Sequence, residues 1–398
     1  MKYNIYHKIL IEGVDEEGQT RLLNLNTFNS LMINNDIESL TDTCTITIPY
    51  KNIAVTPSSM LVFNEKGGAI PVLEGDKITV YLTYVRNRDE DETEDKGTGP
   101  KVFYGYITKF DVDEDIITIN CEDSMYLLKQ NNINLSYPKN TNSIDLFNNI
   151  FSKIENTDFP LNFEKQIIDT NLGKIRTIGA VTPAELFQNL KDKYKFYTYF
   201  RNKYEGISET AIQQNVETKS TLHFGLKYNL TQEAIEAEAI PFAYPYRETS
   251  YPIIQNNLNY QYFNKNNQLI VVGNTIDDKN NKIRIATING TGLITDKGVI
   301  DNLVKERGFR INIDIPNVDL NTLENSVYDT FNNYPESGFE GSFTTFGFPR
   351  VQQGDKVNLQ IDDGFDNLIV EQYYVDRVVT KVNSTAGFIQ EVFIGGKV

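Results

Sequence analysis

The chain has no tryptophan, two histidines, two cysteines and four methionines in 398 residues. Histidine this scarce argues against a Ser-His or Cys-His nucleophile and against a His-ligated metal. His7 lies in an alternating stretch and His223 lies between Leu222 and Phe224, so both read as structural. Two cysteines make no disulfide framework. Cys44 and Cys121 each alternate with apolar neighbours, the setting of a buried free thiol, and the composition suits assembly in a reducing cytoplasm. No apolar run approaches the ~20 residues that span a bilayer. The start, Met1 to His7, alternates like a strand and lacks the continuous apolar core of a signal peptide, so a soluble chain not exported by the usual leader route is expected. Positive charge is short as well: 38 Lys and Arg against 54 Asp and Glu leave a net −16. That field repels nucleic acid and anionic membrane, and no basic cluster opposes it, so neither sequence-specific nucleic-acid binding nor membrane binding is expected. An acidic wall can still let a duplex slide past without sticking.

Familiar catalytic patterns are missing too. There is no nucleophile elbow, no phosphate-binding Gly-Lys-Ser/Thr loop and no paired-Cys zinc spacing. Gly290-Thr291-Gly292 lacks the third glycine of a dinucleotide fingerprint and sits in a hairpin context. Carboxylates are plentiful, but nothing singles out a glycosidase pair. The run Asp89 to Asp95 lacks the mid-loop glycine of a calcium loop and reads as a solvated hairpin tip. Asp277 to Asn281 and Asp362-Asp363-Gly364 read as turns. No catalytic, cofactor or metal site is expected, and the chain reads as a non-enzyme.

What is present is a strand pattern that occurs twice. Leu73-Glu74-Gly75-Asp76-Lys77-Ile78-Thr79-Val80 is echoed by Val351-Gln352-Gln353-Gly354-Asp355-Lys356-Val357-Asn358-Leu359. Each is a Gly-Asp turn followed by period-two alternation. Each then reaches a strand with paired tyrosines, Tyr104-Gly105-Tyr106-Ile107 and Tyr373-Tyr374-Val375, and the first copy carries the acidic insertion Arg86 to Pro100 between them. A loop tip is where an insertion costs least. Gly75, Asp76, Gly105, Gly354, Asp355 and Gly387 are the residues expected to set the turns of the two frames, because turn geometry limits what can replace them.

Around the repeat, residues 1–132 show six strand candidates, Asn4 to Ile11, Leu22 to Phe28, Thr43 to Ile48, Lys77 to Tyr84, Val102 to Phe110 and Ile116 to Cys121. Turn signals such as Asn34-Asn35-Asp36 separate them. Helical spacing begins with Ile144, Phe147, Ile150, Phe151 and Ile154 behind Asn142 as N-cap, and returns with Leu186, Phe187, Leu190 and Tyr194 behind Thr182-Pro183-Ala184-Glu185. Lys174 to Ile178 and Phe196 to Phe200 read as strands of this middle module, whereas 205–250 is hard to read, Thr231 to Ala239 offering a helical turn or two and Pro241, Pro245 and Pro252 forbidding regular structure. From Leu258 the alternation resumes through Gln268 to Val272, Lys282 to Ile288 and Phe309 to Ile315. A helix at Leu320, Leu323, Val327 and Phe331 and strands at Gly341 to Gly347 and Gly387 to Gly395 complete the chain. The expected fold class is mainly β with α/β insertions, in which two related small β-barrels flank a helical α/β module. The domain bounds expected are 1–132, 133–250 and 251–398.

The runs Glu74-Gly75-Asp76-Lys77, Val102 to Ile107 and Ile119 to Met125, together with Gly341 to Phe348, Gln353 to Val357 and Gly387 to Gly395, resemble the central tail hub proteins of long-tailed bacteriophages. They also resemble the hub part of contractile injection system spike proteins. The resemblance covers nearly the whole chain in outline and implies a homotrimer whose six barrels match a six-fold tail tube on one side and a three-fold tip on the other. A chain that carries two similar barrels is what such an adaptor needs. It further implies a virion location at the tail baseplate after assembly in the host cytoplasm, and a channel for DNA ejection. The implied partners are a tail tube protein or distal tail ring, a tip or spike protein and a tape-measure protein. No lysozyme-like segment or β-helical spike follows the hub, so a piercing tip would be a separate chain. The hub of a genome-free contractile injection particle is the alternative within the class. A glycan-binding module or glycosidase is the alternative outside it, favoured by Tyr-rich strands and weakened by the absence of Trp.

Overall fold

The computed structural model describes all residues except 1–2, 15–17, 26, 50–52, 57–58, 64–68, 87–100, 114, 131, 135, 155–162, 168, 170, 177–179, 203–219, 229–237, 262–264, 277–281, 316–319, 333, 335–336 and 363–367. The acidic run Asp89 to Asp95, the turn at Asp277 to Asn281 and most of Thr231 to Ala239 therefore lie outside the described residues. Two compact units result, one of Met1–Asn256 with Ser342–Phe393 and one of Asn257–Gly341 with Ile394–Val398.

Alternating sequences supply most strands. The first part holds β1 (Tyr3–Val14), β2 (Thr20–Leu25), β3 (Ser30–Asp36), β4 (Thr43–Pro49), β5 (Ile53–Thr56), β6 (Ser59–Phe63), β7 (Ala69–Leu73), β8 (Lys77–Arg86), β9 (Lys101–Asp113) and β10 (Ile116–Glu122). The middle holds α1 (Met125–Gln130), β11 (Ser136–Asn142), α2 (Ser143–Ile154), β12 (Phe163–Ile167), β13 (Asn171–Arg176), α3 (Pro183–Tyr194), β14 (Tyr197–Asn202) and β15 (Ser220–Gly225). Then come β16 (Ile240–Tyr244), β17 (Tyr251–Pro252), β18 (Gln255–Gln261), α4 (Lys265–Gln268), β19 (Leu269–Ile276), β20 (Lys282–Thr287), α5 (Lys297–Glu306), β21 (Phe309–Asp314) and α6 (Leu320–Asn332). The chain closes with β22 (Gly338–Phe346), β23 (Lys356–Asp362), β24 (Leu368–Asn383) and β25 (Gly387–Lys397).

Fourteen strands share one hydrogen-bonded sheet in the order β17-β16-β23-β24-β3-β4-β10-β9-β8-β1-β2, with β25, β22 and β18 branching from β24. The run β4-β10-β9-β8 recurs as β22-β25-β24-β23, so the repeated sequence is a repeated topology. The two runs meet where β24 pairs antiparallel with β3, Arg377 opposite Asp36 through to Asn383 opposite Ser30. Ile9, Ile33, Ile46, Ile78, Val80 and Ile119 fill the core of the first half, and Val382 and Phe388 of the second half complete it. Cys44 and Cys121 face each other across β4 and β10 as buried free thiols, their pKa values raised by burial.

The helical module forms as its caps direct. Thr182 and Glu185 make the full capping box of α3, and Asn142 Oδ1 accepts from Asp145 N at 2.7 Å to start α2. Their apolar faces meet in a core where the Phe147 ring lies 4.9 Å from Phe187 and 4.4 Å from Phe224.

Three expectations change. Asn34-Asn35-Asp36 is the end of β3 and not a turn, because Asn35 is buried and donates to Asp42 at 2.8 Å. Pro241 and Pro252 lie inside β16 and β17: Pro241 keeps register with Asn358 of β23, while on the other side of β16 the pairing with β17 begins at Phe242. The strands Gln268 to Val272, Lys282 to Ile288 and Phe309 to Ile315 form a separate sheet, β20-β19-β21, in the second unit. Period-two alternation marks a strand but not the sheet it joins. Leu323, Val327 and Phe331 of α6 cover one face of that sheet, and Ile300 of α5 packs with Ile270, Val272 and Ala286 on the other.

Candidate functional site

The two Gly-Asp turns are built alike to the individual hydrogen bond. In the first, Gly75 N donates to Ile107 O at 2.8 Å, Ile107 N to Asp76 O at 2.9 Å and Asp76 N to Leu73 O at 3.1 Å. In the second, Gly354 N donates to Val375 O at 2.7 Å, Val375 N to Asp355 O at 2.8 Å and Asp355 N to Gln352 O at 3.1 Å. Each aspartate also accepts through Oδ2 from the residue three before it, Leu73 N at 2.8 Å and Gln352 N at 2.7 Å. Each turns its Oδ1 to an arginine, Asp76 to Arg21 at 3.2 Å and Asp355 to Arg201. Burial raises the Asp76 pKa, and the Leu73 amide and the Arg21 guanidinium oppose it.

Gly75 and Gly354 have φ of +89° and +81°, which only glycine adopts without strain. Gly105 is different: a Cβ there would come 2.0 Å from the Glu122 carbonyl oxygen, so its role is close approach of backbone. It stands opposite Ile78, one pair beyond the first turn, so Gly75, Asp76 and Gly105 gather at one β8–β9 corner and Gly354 and Asp355 at the matching β23–β24 corner. Gly387, φ +71°, lies apart from both, after a turn closed by Asn383 Oδ1 accepting from Thr385 N and Ala386 N.

Beside the second corner, at Gln353, lies a buried polar junction that the sequence does not announce. Asp42 Oδ2 accepts from Asn35 Nδ2 and from Gln353 Nε2, both at 2.8 Å, and its Oδ1 accepts from Asp36 N at 3.0 Å. Gln353 Nε2 also donates to Phe200 O at 2.9 Å, so one amide ties the first half, the second half and the helical module together. Asp42 N donates to Asp123 Oδ2 at 3.2 Å, and Asp123 Oδ1 accepts from Met125 N at the start of α1. Burial pushes the Asp42 carboxyl up to about 7 against these donors, and burial with the neighbouring Asp42 raises Asp123 well above the ordinary range. Arg350, half-buried, donates to the carbonyls of Lys101 and Val102 at the head of β9; desolvation pulls its pKa down to about 9, which leaves it charged at neutral pH.

A second, wetter network lies on the turn after β3. Lys227 Nζ reaches Glu38 Oε1 at 2.8 Å and Asp376 Oδ2 at 2.9 Å, Tyr228 Oη donates to Asp376 Oδ1 at 2.7 Å, and the Tyr228 ring stacks on Tyr374 at 4.2 Å. Burial opposes the charge of Lys227, yet Tyr228, Asp376 and Glu38 hold it above the ordinary lysine value. His223 is buried beside Tyr199, at 4.6 Å between rings, and burial lowers it to about 4. His7 meets Phe28 edge-on at 4.8 Å. Among the described residues no three His, Cys, Asp or Glu side chains gather closely enough to hold a metal ion, and no helix is long and apolar enough to cross a membrane. These contacts bind segments of the chain to each other.

No protein-family profile matches the chain, and no curated protein matches it in sequence. Solved structures do match. The tail protein from Neisseria meningitidis MC58 superposes with a TM-score of 0.56 at 9% identity, over 99% of this chain and 96% of that one. The 43 kDa tail protein of prophage MuSo2 from Shewanella oneidensis matches with a TM-score of 0.50 at 12% identity, over 98% of both chains. A chain of the Francisella PdpA-VgrG complex matches with a TM-score of 0.51 at 11% identity, over 99% of this chain and 58% of that one. At these identities the likeness is one of fold: this chain has the hub-like fold of phage tail proteins.

Proposed function

We propose that the chain is a structural hub of a phage tail or baseplate, a homotrimer whose ring adapts a six-fold tube to a three-fold tip and leaves a channel for DNA. The observation that carries this is the identity of the two turn networks, because a chain that builds the same corner twice offers two near-equivalent surfaces. Three such chains offer six. The shared fold of the tail proteins supports the same reading. A net charge of −16 suits a lumen that a duplex traverses without binding. The partners are then the tail tube protein or distal tail ring, a tip or spike protein and a tape-measure protein, with the chain lodged in the virion tail after assembly in the host cytoplasm. It performs no catalysis: the paired aspartates are held by arginines and backbone amides as parts of turns. The likeness to the Francisella PdpA-VgrG complex favours one second reading, the hub of a contractile injection particle without a genome. Native mass spectrometry of the purified protein tests the first step. A particle of three times the 45.5 kDa chain is expected, and a monomer at every concentration would remove the reading.

A further inference from the structure

The repeat places a joint inside the chain and leaves the same joint open elsewhere. Ile107 and Val375 hold the same place in the two turn networks, so Lys109–Asp113 of β9 corresponds to Arg377–Lys381 of β24. On β24 that stretch lies under β3, with Thr380 opposite Ile33 and Val379 opposite Asn34. On β9 the same stretch is flanked by β10 on one side, while β8 stops at Tyr106 on the other. Among the described residues no strand is hydrogen-bonded to β9 along that second side. Exposure records the difference: Val379 and Thr380 are 5% and 7% exposed, whereas the counterpart of Thr380, Val112, is 51% exposed.

We propose that the Lys109–Asp113 edge of β9 takes the β18 strand of a second copy of this chain, antiparallel, as Arg377–Lys381 takes β3. This rests on the trimeric hub reading. The occupant follows from the topology, because β18 stands to β22 as β3 stands to β4: each lies beside the strand that pairs with the return strand of the repeated hairpin. Gln255–Gln261 carries no charged residue, so it meets Lys109, Asp111 and Asp113 without like-charge repulsion. Those charges, with Lys109 paired to Asp111 at 2.8 Å, also discourage promiscuous strands on an open edge. Strand addition at an edge draws affinity from main-chain hydrogen bonds. The contact is heterologous, and in a three-copy ring it occurs three times, alternating with the three internal β24–β3 joints.

Ile37 N donates to Asp376 O at 3.0 Å, so Asp376, Val378 and Thr380 turn their backbone toward β3, and Thr108, Phe110 and Val112 are their counterparts on the open edge. Val112→Pro therefore removes a main-chain donor from the proposed joint. The test is sedimentation velocity of the full-length wild type and Val112→Pro over a concentration series, with amide exchange of Phe110 and Val112 measured on the wild type in its assembled and monomeric forms. A wild-type trimer, at least a tenfold rise in the concentration at which the variant assembles, and at least tenfold slower exchange of both amides in the trimer are expected. A folded Val112→Pro that trimerises like the wild type, with edge amides exchanging equally fast in both forms, would overturn this joint and leave the hub standing. A wild type that stays monomeric would remove both. If Val112→Pro does not fold, the wild-type exchange decides alone.

Discussion

Replacing each turn glycine by alanine separates two kinds of glycine that look alike in sequence. At Gly75 and Gly354 the nearest atom to a new Cβ is a tyrosine hydroxyl, Tyr126 Oη and Tyr199 Oη respectively, each at 3.4 Å. Space is therefore available at both, and the cost is the backbone strain of an L-residue at φ of +89° or +81°, about 1–2 kcal/mol. The stiffer unfolded chain returns part of that, about 0.5 kcal/mol. Gly105 has no such strain but would drive its Cβ to 2.0 Å from the Glu122 carbonyl oxygen, beside the register shift between Asn120 and Cys121. Backbone there cannot yield as a flexible side chain would, and a loss of about 3 kcal/mol or more is expected. In thermal unfolding, at about 2–4 °C per kcal/mol for units of this size, Gly75→Ala and Gly354→Ala should each fall by about 2–5 °C and Gly105→Ala by at least twice that. The two turn variants share no hydrogen-bond partner, so their losses should add in the double mutant within about 0.5 kcal/mol. Unequal losses at Gly75 and Gly354, differing by more than about 2 kcal/mol, would refute the equivalence of the corners. A Gly105→Ala as mild as Gly75→Ala would refute the steric account.

Gln353→Leu leaves Asp42 Oδ2 short of a donor and the Phe200 carbonyl without its amide partner, so a loss of about 2–4 kcal/mol is expected in urea unfolding; a change below ~1 kcal/mol would deny Gln353 its tying role. The junction should also show in pH dependence. Asp42 is raised in the fold, so the folded chain holds a proton that the unfolded chain releases, and its contribution is complete below the unfolded carboxyl value near 4 and lost as pH rises through about 7. The difference in unfolding midpoint between pH 5 and pH 8 should therefore shrink in Asp42→Asn, whatever the variant's mean stability, and an unchanged difference would contradict the assignment.

α2 and α3 were legible because their signals are local, whereas α1 and α5 were not anticipated. Thr182-Pro183-Ala184-Glu185 writes its capping box in four consecutive residues, and Asn142 caps α2 as its position suggests. The Gly-Asp turns were legible for the same reason, since a left-handed turn and the strand after it fit in a few residues. Arg21 and Arg201 could not be read as partners of Asp76 and Asp355, being 55 and 154 positions away. The junction at Asp42 was hidden likewise: Gln353 lies 311 positions from it, and polar residues carry no mark of burial. One signal was there to find. Where the first turn has Leu73-Glu74, the second has Gln352-Gln353, and an amide in place of an exposed carboxylate is what a buried acceptor such as Asp42 requires. β3 escaped because Asn34-Asn35-Asp36 has turn composition, while its pairing with β24 is decided more than 340 residues later.

The most direct measurement of the hub reading is negative-stain electron microscopy of the purified protein, with class averages computed without imposed symmetry. Three-chain rings bearing six similar lobes around a channel wide enough for duplex DNA are expected. Rings with three lobes, or particles with no central channel, would contradict the claim that the two corners of each chain serve as equivalent parts of one ring.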